Sequence, residues 1–431
     1  MPDDHEDEFR LLTTDDGAAL LTEAESMRAF GPAEIARLRR QAPAGLVGAS
    51  VRLTLARRKA AGKFEQAGRM WLEPVAVEQA TAEPVARHKA ARFDKGRAGA
   101  GGSRSVVVDL CCGIGGDAIA LGRNGPVLAV DRDAGMTRRA RWNAEVHGVG
   151  GNFLAVRSSA DRMPIPAGAL VHLDPDRRAR AREGEDLQNS RRNRPARAIE
   201  DYAPGPAFWT ALRSQARGGA IKLSPAADFA AAFPIESGCE IELISLRGEC
   251  KEATAWFGDL AEPGCRRRAT RLPEGATWSD RDGEPNENSN IPRPVDVLPL
   301  GDLLFDPDPS LIRTGLLDGF ARAHGLYRAA GGVAYLTGPD AITSPFLAAF
   351  AVQDVAPMDL KHLRRMIARH DVGALEIKVR GFPITPESLR ARLKLAGSQP
   401  ATLIIIGPGR SDGPDHQPAR AVLARRVAGS R

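Results

Sequence analysis

The sequence predicts an α/β protein: a doubly wound core of alternating strands and helices, preceded by a helical segment and followed by a smaller α/β segment. Three observations predict it. Short apolar runs alternate with helix-compatible stretches between residues 104 and about 270. One of them, "VVVDLCCGIGGDAIAL" at residues 106–121, passes from strand-like residues through a glycine turn into a helix-like stretch. Upstream, apolar residues recur at helical spacing with Arg and Lys between them.

In chain order, residues 1 to about 93 read as helical, from "PAEIARLRRQ" and "ASVRLTLARRKAAGKF" to "EQATAEPVARHKAARF". "DKGRAGAGGSR" then reads as a glycine-rich joint. "SVVVDL", "GPVLAVDR", "ALVHLDP" and "GGAIKLSP" are strand candidates, with segments such as "MTRRARWNAEVHG" as helices between them. "EIELISLRGECKEATAWFGDL" reads as two strands joined at "GEC", an antiparallel pair at the end of the sheet. Residues 271–305, with "RDGEPNENSNIPRP", read as a polar loop. A helix comes next in "FDPDPSLIRTGLLDGFARAHG", then strands at "GVAYLTG" and "FAVQDVAP", a helix at "DLKHLRRMIARH", and "ALEIKVRG", "TPESLRARLKLA" and "ATLIIIG". "PGRSDGPDHQPA" reads as a loose loop and "RAVLARRV" as a last strand; no internal repeat is seen. The domain expectation is a helical part at 1–95, the doubly wound core at 104–300 and the small carboxy-terminal domain at 305–428.

Composition bounds the function. At 431 residues the chain can build a sizeable core, and no run approaches the roughly 20 apolar residues of a membrane span. The acidic start "MPDDHEDEFR" does not read as a secretory signal. Five cysteines is an odd number, Cys111 and Cys112 are adjacent, and Cys239, Cys250 and Cys265 lack zinc-site spacing. The expectation is reduced thiols in a cytoplasm, no metal and no membrane partner. A net charge of +6 leans toward an anionic partner, as a solvated Arg-rich surface also would.

Gly113, Gly115 and Gly116 let the backbone approach a ligand and open a helix whose amides point at it. Gly113, Gly115 and Ala118 also fit the loose dinucleotide pattern G-x-G-x-x-G/A. The carboxylates decide between the two. Asp109 ends the strand before the glycines, where it suits a cationic amino-acid group better than a pyrophosphate. Asp131 ends the next strand, where a carboxylate accepts ribose hydroxyls. Asp161, in "SSADRMP", comes after a third strand and suits an adenine amino group. The set describes S-adenosylmethionine better than NAD.

The central zone resembles class I S-adenosylmethionine-dependent methyltransferases, with Asp109 and the glycine turn, Asp131 and Asp161 as their first three motifs. The whole chain is similar to one bacterial family within that class. "KFEQAGRM" with "EQAT", "VVDLCCGIGGDAIAL", "HLDPDRR", "KLSP" and "LEIKVRG" carry the resemblance over most of the chain. It implies a helical amino-terminal part, a Rossmann-like methyltransferase core and a carboxy-terminal ferredoxin-like domain called THUMP-like. The cofactor set expected on this basis is Asp109, Cys111, Gly113, Gly115, Gly116, Asp131, Arg132, Asp161 and Asp174.

Methyl transfer is expected at Asp174 and Pro175, which end the fourth strand. Amino-group methyltransferases often continue Asp-Pro with Pro and an aromatic that stacks on the base; here Asp176 and Arg177 come next, so stacking would fall to the Arg177 guanidinium. Arg177, Arg178, Arg180, Arg182, Arg191, Arg192, Arg194 and Arg197 make the next loop basic enough to position phosphates, or simply a solvated loop. Arg177, Arg178 and Lys222 are the expected substrate contacts. Arg57, Arg58, Lys59, Lys63 and Phe64, and Lys378 with Arg380, face either RNA or water. His172 reads as a core or edge histidine, and Cys111 and Cys112 as packing beneath the turn. The functional expectation is a cytoplasmic methyltransferase acting on RNA. A non-catalytic scaffold that keeps the cofactor fold is the alternative, favoured by the missing aromatic; a small-molecule methyltransferase would not need the Arg loop and extra domain.

Overall fold

The fold is described from a computed structural model covering residues 4–98, 105–176, 199–282, 295–408 and 418–427. The chain divides into two compact units, one made of Met1–Cys239 and Thr254–Glu262, the other of Glu240–Ala253 and Pro263–Arg431.

The first unit opens with helices α1 (Asp4–Thr13), α2 (Asp15–Ser26), α3 (Pro32–Arg39), α4 (Ala44–Ala60), α5 (Pro74–Gln79) and α6 (Glu83–Ala98). The expected glycine-rich joint therefore starts later than the composition suggests, because "DKGRA" continues α6. Then come β1 (Val107–Leu110), α7 (Gly116–Gly122), β2 (Val127–Asp131), α8 (Ala134–Val146), β3 (Phe153–Arg157), β4 (Leu170–Leu173), α9 (Pro206–Gln215), β5 (Gly218–Leu223) and α10 (Phe229–Ala232). Strands run in the order β3-β2-β1-β4-β5, all parallel, followed by β7 (Glu249–Gly258) after an intervening β6 (Glu240–Leu246) in the chain. Strands β1 and β4 are buried at every position, as parallel strands covered on both faces must be, and each is apolar except for one polar residue, Asp109 in β1 and His172 in β4. The amino-terminal helices join the same core. Leu53, Phe64, Trp71 and Phe93 cluster with Val107, Ile114 and Leu121. Asn143 of α8 seals the join, accepting from the Trp71 amide at 2.7 Å and donating to the Trp71 and Ile114 carbonyls.

In the second unit the strands run β7-β6-β8-β9, with β8 (Arg267–Leu272) parallel to β6 and β9 (Ala276–Ser279) antiparallel to β8. The pair β6–β7 is thus not the end of its sheet. The sequence hid β8 because its strand is cationic: Arg268 pairs with the buried Glu240, and Arg271 with the buried Asp308. A second sheet is built from β10 (Leu303–Pro307), β11 (Tyr327–Arg328), β12 (Leu336–Gly338), β13 (Leu347–Pro357), β14 (Val372–Arg380), β15 (Gln399–Ile406) and β16 (Arg420–Arg426). Its order is β11-β12-β10-β13-β16-β15-β14. The helix expected after residue 305 is two, α11 (Pro309–Thr314) and α12 (Leu317–Ala323), broken at Gly315, which takes φ 74°. Helices α13 (Leu360–Arg369) and α14 (Pro386–Arg392) bury Leu363, Met366, Ile367 and Leu389 with Leu375, Ile377 and Leu403 of the sheet.

Candidate active site

The glycine turn leaves the carboxyl end of β1. Cys111, Gly113 and Gly115 all have positive φ, at 62°, 54° and 87°. Two glycines are favoured for different reasons. At Gly115, besides its φ of 87°, a Cβ would stand a tight 3.3 Å from Cα of Ala140 in α8. At Gly113 a Cβ would meet nothing within 4 Å; the left-handed backbone there favours glycine, and space beside it stays open. The Cys112 amide donates to Val130 O at 3.0 Å and fastens the turn to β2.

Asp131 closes β2 against this turn. Its Oδ2 accepts from the Gly113 amide and its Oδ1 from the Asp133 amide, each at 2.9 Å. Each carboxylate oxygen offers a second lone pair beyond these bonds. Burial pushes the Asp131 pKa up, against the pull of the two amides.

Asp109 lies deeper. Register places it between Ala129 of β2 and His172 of β4. Its Oδ1 accepts from His172 Nδ1 at 2.6 Å, and its Oδ2, also buried, has no hydrogen-bond partner among the described residues. Burial raises its pKa, with the His172 charge and hydrogen bond working the other way. His172 Nε2 lies 3.2 Å from Lys89 Nζ on α6. That ammonium is 2.8 Å from Asp117 Oδ1 in the first turn of α7, and Thr81 Oγ1 donates to Asp117 Oδ2 at 2.7 Å. Burial and the Lys89 charge work against a charged imidazole, but Asp117 and Asp109 outweigh them and His172 sits above its ordinary pKa. In the neutral and charged forms alike, Nδ1 carries the hydrogen that Asp109 accepts.

At the carboxyl end of β4, Asp174 Oδ2 pairs with Lys222 Nζ of β5 at 2.7 Å, and Lys222 also donates to Gln79 O at 3.0 Å. Burial raises the Asp174 pKa against the pull of Lys222. Pro175 is buried, and Asp176 exchanges two 2.9 Å backbone hydrogen bonds with Ala203. Burial, and then the charges of Asp131, Asp174 and Asp109, push the Cys111 thiol up strongly. Cys112 is pushed up as well, by burial first. Both thiols are held in the unreactive form.

The other expected site residues fall differently. Asp161 stands exposed on a short turn at Ala160–Arg162, its carboxylate accepting from Ser159 Oγ, a bond that lowers its pKa. Arg132 is exposed beside Asp131. Arg177, Arg178 and the rest of the basic loop lie outside the described residues. Lys378 and Arg380 are partly exposed and share Asp306, at 2.9 and 2.7 Å, and Arg380 lies over the Tyr335 ring. Sequence reading passed over Gln79, Thr81, Lys89 and Asp117. A signal existed for two of them. Lys89 sits among the buried Val85, Ala86, Ala90 and Phe93, and Asp117 opens a helix otherwise buried and apolar. A charge on an apolar stripe requires a buried partner. No group of three or more His, Cys, Asp or Glu among the described residues is placed to hold a metal ion. No helix among them is long and apolar enough to cross a membrane.

A parallel sheet in this order, with a glycine turn after β1 and an acidic residue closing β2, is the architecture shared by dinucleotide-binding folds and class I S-adenosylmethionine-dependent methyltransferases, and the relatives place the chain in the second class. Over 368 residues the chain is 35% identical to S-adenosylmethionine-dependent methyltransferases of Mycobacterium tuberculosis, strains CDC 1551 and H37Rv, spanning 83% of this chain and 93% of theirs. It belongs to their family. Residues 347–424 match the THUMP domain-like family. A crystal structure described as a methyltransferase from Porphyromonas gingivalis W83 shares the fold, with TM-score 0.70 at 19% identity over 97% of this chain and 98% of that one. The cofactor is S-adenosylmethionine.

Proposed function

We propose that the methyl acceptor is RNA, that Asp109, Asp131 and the glycine turn hold the cofactor, and that Asp174 with Pro175 receives the acceptor group. The residues at the turn fit the cofactor. Asp131 has lone pairs for two ribose hydroxyls, Asp109 Oδ2 is a buried acceptor without a partner for an ammonium group, and the space beside Gly113 is open. Cys111, Gly115, Gly116 and Arg132 complete the turn and its rim, and Asp161 takes the adenine side. S-adenosylmethionine supplies an electrophilic methyl group on a sulfonium, so the protein's task is alignment more than acid–base chemistry. Lys222 fixes Asp174 by one oxygen and favours its ionised form against the effect of burial. The carboxylate then accepts a hydrogen bond from the acceptor's amino group and orients its lone pair. Arg177 and Arg178, which come after Asp176 in sequence and lie outside the described residues, are assigned to the same acceptor.

The observation that carries the RNA reading is a basic helix face inside the THUMP-like region. Helix α13 buries Leu363, Met366 and Ile367 and exposes Lys361, Arg364, Arg365 and Arg369. Arg364 donates to Arg392 O, so α14, with its exposed Arg390 and Arg392, extends the patch. Such a surface suits a phosphate backbone. The test compares RNA from cells carrying wild-type protein, Asp174→Ala or a deletion, digested and analysed for methylated nucleosides by mass spectrometry. A mark present only with wild-type is expected. Identical profiles in all three would retire RNA as the substrate, and a mark surviving Asp174→Ala but not deletion would move the reacting centre elsewhere.

A further inference from the structure

The polar chain beneath the glycine turn begins on the amino-terminal helices and ends on Asp109. Lys89, His172 and Asp109 are each 1% exposed, so no water compensates a misplaced charge among them. Buried ion pairs of this kind are often matched or surpassed in stability by apolar residues of equal volume, so adhesion alone gives little reason for them. The chain is also directional. Lys89 faces His172 Nε2 at 3.2 Å, which sets the imidazole with Nδ1 toward Asp109. His172 Nδ1 takes up one oxygen of Asp109, at 2.6 Å, and the other is the buried acceptor without a partner. A carboxylate rotates easily about its last torsion unless one oxygen is anchored.

We infer that Lys89 and His172 are positioning residues, through which helix α6 fixes the Asp109 carboxylate so that Oδ2 is presented to the amino group of the cofactor's amino-acid moiety. This rests on the assignment of Asp109 to that group. The amino-terminal helices are then part of cofactor recognition without touching the cofactor.

The test measures binding of two ligands to the full-length protein by calorimetry. S-adenosylhomocysteine carries the amino acid; 5′-methylthioadenosine keeps the adenosine and thioether and lacks it. His172→Gln removes the donor at the Nδ1 position and should weaken S-adenosylhomocysteine by about tenfold or more, the scale of a hydrogen bond to a charged group. Methylthioadenosine should bind as before. His172→Asn, whose amide occupies the Nδ1 position, should recover most of the loss. Lys89→Met should repeat the selective loss; if it does not fold, the two His172 variants decide between the roles. Equal weakening of both ligands, or identical behaviour of the Asn and Gln variants, would reduce the chain to a structural role and overturn the inference. Asp109→Asn separates the two layers. If it leaves the ratio of the two affinities unchanged, the assignment of Asp109 is wrong. If it lowers that ratio while His172→Gln does not, only the positioning role fails.

Discussion

Asp131 gives one lone pair of each carboxylate oxygen to the backbone it faces, and this double anchorage makes its charge a fixed acceptor. Asp131→Ala is expected to remove two ribose hydrogen bonds to a charged group, each worth roughly 1.5–3 kcal/mol, and calorimetry with S-adenosylhomocysteine measures the loss. Acid should do the same reversibly. Burial raises the Asp131 pKa, so the folded chain binds this proton more tightly than the unfolded chain does. The ionised form accepts the hydroxyls. Affinity should therefore fall on acidification from neutrality, before an ordinary aspartate of pKa about 3.9 would titrate. For the cofactor-free fold the sign is opposite. The raised pKa contributes stability below the unfolded value that is lost as pH rises through the folded value. A drop in affinity with unchanged circular dichroism is the expected pattern; a flat affinity profile down to about pH 4 would contradict it.

At the scale of elements, two basic groups in the second unit divide the labour. The β14 pair Lys378 and Arg380 holds Asp306 and covers Tyr335 and Phe350, so much of its role is structural. Helix α13 is different. Asp359 caps it, accepting from the His362 amide at 3.0 Å, its apolar stripe is buried, and its cations face outward. Lys361→Glu with Arg365→Glu should weaken RNA binding and flatten its dependence on salt by about 0.7 in log-log slope for each phosphate no longer neutralised. Arg380→Ala should leave that slope unchanged and lower the melting temperature instead. A slope that moves with Arg380 and not with α13 would place the RNA on the sheet.

For the whole molecule, features with a period or a turn were legible in the sequence. The parallel strands stood out because both faces are covered, and Asp109, Asp131 and Asp174 because each closes a strand at the ligand edge. Polarity satisfied at long range stayed hidden. Strand β8 goes unread in the sequence, and its arginines make sense only once Glu240 and Asp308 are seen opposite them. Lys89 reads as one more solvated helix charge until Asp117 and His172 meet it from 28 and 83 positions away in the chain. The amino-terminal helices likewise read as a separate piece. Their membership of the first unit depends on pairs such as Arg139 of α8 with Glu8 of α1, which no local pattern announces.

The first unit is not continuous in sequence: residues 254–262 belong to it, after a stretch that belongs to the second. This sets a clock on synthesis. Trp256, fully buried and 5.8 Å from the Phe93 ring, and Leu260, which a Cβ on Gly96 would strike at 2.5 Å, fill the core over helix α6. Until they leave the ribosome, α6 has no complete bed, and the network it carries to the cofactor turn has no rigid base. A chain stopped at residue 239 is expected to melt without a sharp transition and without response to S-adenosylhomocysteine, whereas one extended through residue 262 should regain both. A sharp, ligand-shifted melt from the shorter chain would show that the first unit closes without its last segment. On the assignment proposed above, the cofactor site is completed late, by residues translated about eighty positions after Asp174.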